Sequence, residues 1–151
     1  MKSAFEILEA TRRNTLNLLN SLTSETLNII PEGFTGNIIW HAGHMVQTHR
    51  GLIYKLSGLP SGLEKDFILK YAKGSFPETD ASDQEINFIK EQLILQVDDL
   101  IKDWEAGIFN EYHAYETSFG YTLTNIEEAI HFSNVHQGLH LGYMMAMKRA
   151  L

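Results

Sequence analysis

SDQEINFIKEQLILQVDDLIKDW, the stretch from Ser82 to Trp104, decides how this chain reads. Ile86, Ile89, Leu93, Val97, Leu100 and Trp104 recur at steps of three or four, which lays one apolar stripe along an α-helix. Ser82 and Glu85 stand at the two positions of a capping box, where a hydroxyl and a carboxylate satisfy free amides of the first turn. The segment predicts one long helix that must bury its apolar face against partners.

Three more such helices are predicted. The first begins at Ser3, with Ser3 and Glu6 as a capping box, and carries Phe5, Leu8, Leu16, Leu19 and Leu22 before Pro31 and Gly33 break the pattern. The second runs from about Asn37 to Ser57, with Asn37 as N-cap and Gly58 and Pro60 past its end. The last opens with Thr124 and Glu127 and ends near Lys148 and Arg149, cations suited to the negative end of a helix dipole. About two dozen residues separate the second helix from the third, long for neighbours in a bundle. Such a crossover lets those two helices run parallel. Phe67, Ile68, Leu69, Tyr71 and Phe76 make it a partial helix or lid, and the aromatics from Tyr112 to Tyr121 around Gly120 read as a short hairpin. The expectation is an all-α fold: a single domain over residues 1–151, built as a four-helix bundle with a long crossover between helices two and three.

Composition narrows the function. A chain of 151 residues with 44% hydrophobic and 21% charged residues is long enough for a real core. No apolar run reaches the roughly 20 residues of a membrane helix, and Met1 to Glu6 do not begin like a signal peptide. There are no cysteines, so disulfides, thiolate zinc sites and a cysteine nucleophile are excluded, in keeping with a cytoplasmic protein. Lys and Arg number 12 against 19 Asp and Glu, a net charge of -7 that repels nucleic-acid backbones. No nucleic-acid or membrane partner is expected.

The seven histidines draw attention. At about 100° per residue the last helix places Ala129, Phe132, His136, Leu139, His140, Tyr143 and Met147 on one stripe, with Glu127, His131, Asn134 and Lys148 opposite. His136 and His140 are thus expected mid-stripe, one turn apart, where two imidazoles at i and i+4 can chelate one metal ion. A lone histidine on an apolar face is more often a hydrogen-bonded core residue. Two together are harder to bury without partners. On the second helix the stripe of Ile38, Ala42, Met45, Leu52 and Leu56 leaves His49 near its centre, His41 at its edge and His44 further round, beside Trp40 and Thr48. Periodicity alone favours His49 or His41 and does not choose.

Asn37-Ile38-Ile39-Trp40-His41-Ala42-Gly43-His44, followed by His136-Gln137-Gly138-Leu139-His140-Leu141-Gly142, resembles the DinB-like (YfiT-like) superfamily of metal-dependent proteins. The resemblance spans nearly the whole chain. It implies a four-helix bundle with a three-histidine site, one ligand from helix two and two from helix four. By position these are His44, after Ala42-Gly43, and His136 with His140. Gln137 stands where many members have Glu, and Tyr143 where many have Gln. Zinc-protease helices place a general-base Glu after their first histidine, so Gln137 speaks against that chemistry.

Three neutral imidazoles leave a coordination position open, as in catalytic sites. Zn, Ni, Fe or Mn would each suit, and the ion would activate a water, thiol or carbonyl oxygen. Relatives include transferases and isomerases that use a low-molecular-weight thiol. The resemblance therefore implies a metal-dependent thiol S-transferase, or a metal-assisted hydrolase, acting on a small-molecule substrate. Trp40, Thr48 and Tyr143 flank the ligands and are candidate pocket residues, with plain core packing the simpler account of each. The alternative is a non-catalytic metal-binding or stress-related dimer. A homodimer is the expected assembly on the same resemblance.

Overall fold

Ser82 starts its helix as its side chain predicts: its Oγ accepts from the amide of Glu85 at 3.2 Å, and α5 follows over Asp83–Glu105. The structure is a computed structural model describing residues 1–151. Only half of the predicted box closes, because the Glu85 carboxylate turns away to Lys70 Nζ at 2.8 Å and the Tyr71 hydroxyl at 2.7 Å.

Before α5 come α1 (Lys2–Asn20), the short α2 (Ser24–Asn28), α3 (Ile38–Ile53) and α4 (Lys65–Lys70). A 3-10 turn over Lys55–Ser57 prolongs α3. Asn37 caps α3 through its Oδ1, which accepts from the Trp40 amide at 2.9 Å. Gly58 stops the following turn at φ 71°, a conformation that glycine adopts without steric cost. After α5, strands β1 (Tyr115–Glu116) and β2 (Thr122–Leu123) form the expected antiparallel hairpin, with Tyr115 opposite Leu123, and α6 spans Ile126–Ala150. The chain is predominantly helical, and no helix is long and apolar enough to cross a membrane.

Two helix starts differ from the sequence reading. α1 begins at Lys2 on Met1 with no side-chain cap, so Ser3 already lies inside the helix and the Ser3–Glu6 box does not form. α6 begins one residue late. Asn125 Oδ1 accepts from the Glu128 amide at 2.9 Å, while the Glu128 carboxylate accepts from the Thr124 amide at 2.7 Å. Asparagine caps at least as well as threonine, so the register slides from Thr124 and Glu127 to the next pair.

The four long helices pack in a cycle: α1 against α5 and α6, and α3 against the same two. Their interior divides into two apolar clusters. One gathers Leu18, Leu19, Met45, Val46, Leu93 and Met144; the other gathers Leu8, Leu52, Val97, Ala129 and Ile130. On each helix the residues between the clusters are buried and polar: Arg12 and Thr15 on α1, His49 on α3, Gln96 on α5, Ser133 and Gln137 on α6. Arg12 is fully buried and faces no carboxylate. Its Nη2 donates to the Met45 carbonyl at 3.3 Å, and both terminal nitrogens lie 3.4 Å from Gln96 Oε1. Gln96 Nε2 donates to the Val46 carbonyl at 3.2 Å, and Gln137 Nε2 to the Met45 carbonyl at 3.4 Å. This layer ties the four helices at one level.

The layer also corrects the helical wheel of α6. Its innermost residues are Ala129, Ile130, Ser133, Gln137, Met144 and Met147, while Leu139 and Tyr143 are 56% and 42% exposed. His136 and His140 therefore flank the buried face rather than centring it. The wheel assumed that apolar residues mark the core. Here hydrogen-bonded polar side chains take the centre and rotate the helix. His131 is exposed, as expected.

Candidate metal centre

The rotation of α6 points its two histidines at the first half of α3. That half is buried almost all round, with Tyr71, from the segment between α3 and α5, resting on it. Tyr71, which ends α4, is the residue that covers it. Its ring rests so closely on Gly43 that a Cβ there would stand 2.4 Å from two ring carbons. Its carbonyl accepts from His44 Nδ1–H at 2.8 Å. A carbonyl only accepts, so this bond fixes the proton of His44 on Nδ1 and makes Nε2 the nitrogen with the lone pair. Thr48, one turn on, places its hydroxyl 3.2 Å from that Nε2. Trp40, one turn back, stacks on the imidazole with ring centroids 5.0 Å apart and planes 8° from parallel. The indole is held in turn by Ser75 Oγ at 3.1 Å.

His136 and His140 meet nitrogen to nitrogen, Nε2 to Nε2 at 3.2 Å. His140 uses its other nitrogen on His41, Nδ1 to Nδ1 at 2.9 Å. One potential ligand atom from each of His44, His136 and His140 lies within 4.8 Å of the other two, and no carboxylate joins the group. Such a group could hold a metal ion. Its chemistry fits one. Burial first, and the charges of its neighbours second, lower His136 to about 3 and His140 to about 2, and burial lowers His44 against the pull of the Tyr71 bond. All three are neutral near pH 7, and neutral imidazoles with convergent lone pairs suit a borderline divalent cation. Metal-ligating histidines need a partner on the second nitrogen. His44 has Tyr71 and His140 has His41, whereas His136 Nδ1 is buried without one.

The other sequence candidates divide. His41 stands behind His140 rather than among the three, lowered to about 4 by burial and by His44. His49, the wheel's central choice, is fully buried in the polar layer, its Nδ1 3.4 Å from Ser133 Oγ. Trp40 and Tyr143 border one cleft of about 370 Å³, which reaches His41 and His140. Thr48 borders a second cleft of about 290 Å³, which reaches His44 and His136. The sequence reading expects the segments Phe67 to Phe76 and Tyr112 to Tyr121 to border a pocket, and Lys73, Tyr115 and Thr117 of those segments line the second cleft, but it did not find Lys55, the Tyr71 carbonyl or the support from His41. The sequence signal for Tyr71 was its place among the apolar residues that pack the segment between α3 and α5 as a partial helix or lid, and Gly43 is the small residue that lets its ring approach α3.

No curated protein matches the chain. The family model of the DinB superfamily aligns with residues 7–144, nearly the whole length. That match, over the same α3 and α6 that carry the histidine cluster, means that the chain belongs to the DinB superfamily.

Proposed function

We propose that this protein is a metal-dependent transferase that joins a low-molecular-weight thiol to a small electrophilic substrate at His44, His136 and His140. The observation that carries the reading is the position of the three imidazoles between two clefts. One cleft reaches His140 and the other reaches His44 and His136. Hydrolysis needs one organic reactant besides water, whereas transfer needs two. Two separate approaches to one cluster favour transfer.

The Nε2 atoms of His44 and His140 and an imidazole nitrogen of His136 would hold one divalent ion, zinc, nickel, iron or manganese. When bound, the ion supplies a Lewis acid that lowers the pKa of a thiol. The chain's own residues do the rest. Tyr71 holds the His44 ring in the tautomer that presents a lone pair, and His41 Nδ1, 2.9 Å from His140 Nδ1, stands where it would accept the proton that leaves His140 Nε2 free. The Trp40 face covers the His44 ring and limits water there. With no carboxylate in the group, a coordination position stays open for a reactant.

On this reading the chain is one domain, a four-helix bundle of α1, α3, α5 and α6 with its long crossover between α3 and α5. The cycle of helix contacts supports that description. A cytoplasmic setting agrees with the absence of cysteine. Exposed Val135 on α6, which borders neither cleft, supports pairing with a second copy.

Elemental analysis of untagged protein tests the metal. About one equivalent is expected in the wild type, with large losses in His136→Ala and His140→Ala. Equal metal in all three would remove the site. A panel of thiols with electrophilic acceptors then tests the chemistry: thiol-dependent turnover supports transfer, and turnover without thiol would turn the assignment to hydrolysis.

A further inference from the structure

The second cleft lies in an acidic protein, yet its charged lining is entirely cationic. Acids outnumber bases by 19 to 12, and no Asp or Glu borders this cleft. Lys55 and Lys73 do. They come from different elements, Lys55 from the turn that ends α3 and Lys73 from the crossover just after Tyr71. Neither is in an ion pair, although Lys2, Arg13, Arg50 and Lys70 each find a carboxylate. The inner end of the same cleft is formed by His44 and His136, and Arg12 lies fully buried behind them without a countercharge. Both formal charges on the lining are therefore positive. Neutral donors complete the wall, with Gln47, Thr48 and Ser118 on it. A cleft of about 290 Å³ sits at the small end of ligand pockets, which run from about 300 to 1,000 Å³.

We infer that this cleft takes the reactant that carries a negative charge, and that Lys55 and Lys73 receive its carboxylate or phosphate while its reacting atom lies at the histidines. The inference rests on the metal-site reading for the reacting end and on the cleft alone for the charged end. It divides the two approaches by chemistry. The anionic reactant enters between the end of α3 and the β1 side, and the more apolar cleft beside Phe76, Leu139 and Tyr143 is left for the uncharged partner.

The test uses cobalt(II)-loaded full-length protein and two probes of equal length, 3-mercaptopropionate and 3-mercapto-1-propanol, followed by the cobalt absorption spectrum. The carboxylate probe should bind about tenfold more tightly, the sum of two exposed ion pairs. That advantage should vanish in Lys55→Met/Lys73→Met, whose exposed positions leave melting unchanged, and should shrink in added salt. Equal affinities, or a preference that survives the double substitution, would overturn the inference. A second arm needs no thiol. Glutarate and inorganic phosphate are titrated into the metal-free wild type and double variant, with amide shifts read at residues 47–55 and 115–118. Saturable shifts lost in the variant support the inference, and the tighter probe identifies the anion. No saturable shift in the wild type would refute the charged subsite. A silent cobalt spectrum with a positive second arm would instead fault the thiol reading.

Discussion

His44 is oriented by the backbone of Tyr71, whose carbonyl oxygen lies 2.8 Å from its Nδ1. The same tyrosine lays its ring on Gly43, the residue before. Adjacent positions of α3 thus meet one residue of the crossover, the first through packing and the second through a hydrogen bond. The tyrosine is itself anchored, its hydroxyl donating to Glu85 of α5 at 2.7 Å. An imidazole held this way has one tautomer and one direction before any ion arrives.

Gly43→Ala should therefore damage the site more than its size suggests. The new Cβ would sit 2.4 Å from the Tyr71 ring, a distance that forces the crossover to move. Overpacking of this kind costs about 1–3 kcal/mol of stability. The carbonyl would move with the ring, so divalent-metal affinity should also fall, by about 10- to 100-fold as for other lost supports of a ligand. Thermal melting and competitive metal titration measure the two effects. Wild-type affinity in a folded variant would show that the Tyr71 carbonyl has no part in positioning His44.

His41→Phe should separate affinity from stability. His41 is buried and meets His140 Nδ1 at 2.9 Å, opposite the nitrogen that faces His136. Phenylalanine keeps the ring packing on Trp40 and Tyr143 but offers His140 no partner. Metal affinity should fall by about tenfold or more while the melting temperature of the metal-free protein holds or rises. His41→Gln, which restores a polar end, should recover part of the affinity. No difference between the two substitutions would reduce His41 to packing.

Much of this was legible in the sequence, and the rest was hidden for physical reasons. α5 could be read because its buried stripe is apolar, so pattern and burial coincide. Asn37 could be read because a cap acts within its own turn. α6 could not be oriented correctly because Ser133 and Gln137 occupy its innermost face, and their hydrogen bonds come from α3, far away in sequence. The choice among His41, His44 and His49 failed on periodicity because the first half of α3 is covered on every side, and only the family resemblance singled out His44. Lys55 and Lys73 meet across one cleft only after the crossover has folded. Long-range pairing leaves no periodic trace.

Acid should destabilise the metal-free protein well before its carboxylates titrate. Burial, with help from neighbouring charges, holds His41 at about 4, His136 at about 3 and His140 at about 2, and places His49 well below its ordinary 6.5. The unfolded chain takes up these protons near pH 6.5 while the folded chain refuses them. Stability is therefore complete above about 6.5 and is lost as pH falls toward the folded values, with each group contributing on the order of 1 kcal/mol by pH 5. Melting in the presence of a chelator, from pH 8 to pH 5, should show a steep drop below 6.5. A flat profile would mean that these rings are not held neutral by the fold.

Arg12 and Gln96 provide the sharpest division between stability and site geometry. Arg12→Met removes a buried cation but leaves Gln96 Oε1 without its donor, a loss worth about 1–3 kcal/mol. Arg12→Met/Gln96→Leu removes both ends at once. The Val46 carbonyl gives up its side-chain donor but remains within α3, so the double variant should regain most of the stability lost by the single one. Metal affinity should not return with it. Arg12 and Gln137 converge on the Met45 carbonyl, next to His44, and Gln137 follows His136, so the layer sets the level at which α3 and α6 present their histidines. An apolar layer can slide where a hydrogen-bonded one cannot. Chemical denaturation and metal titration of the three proteins decide the point. Stability and affinity recovering together in the double variant would show that packing alone aligns the two helices, and the polar layer would then have no role in the site.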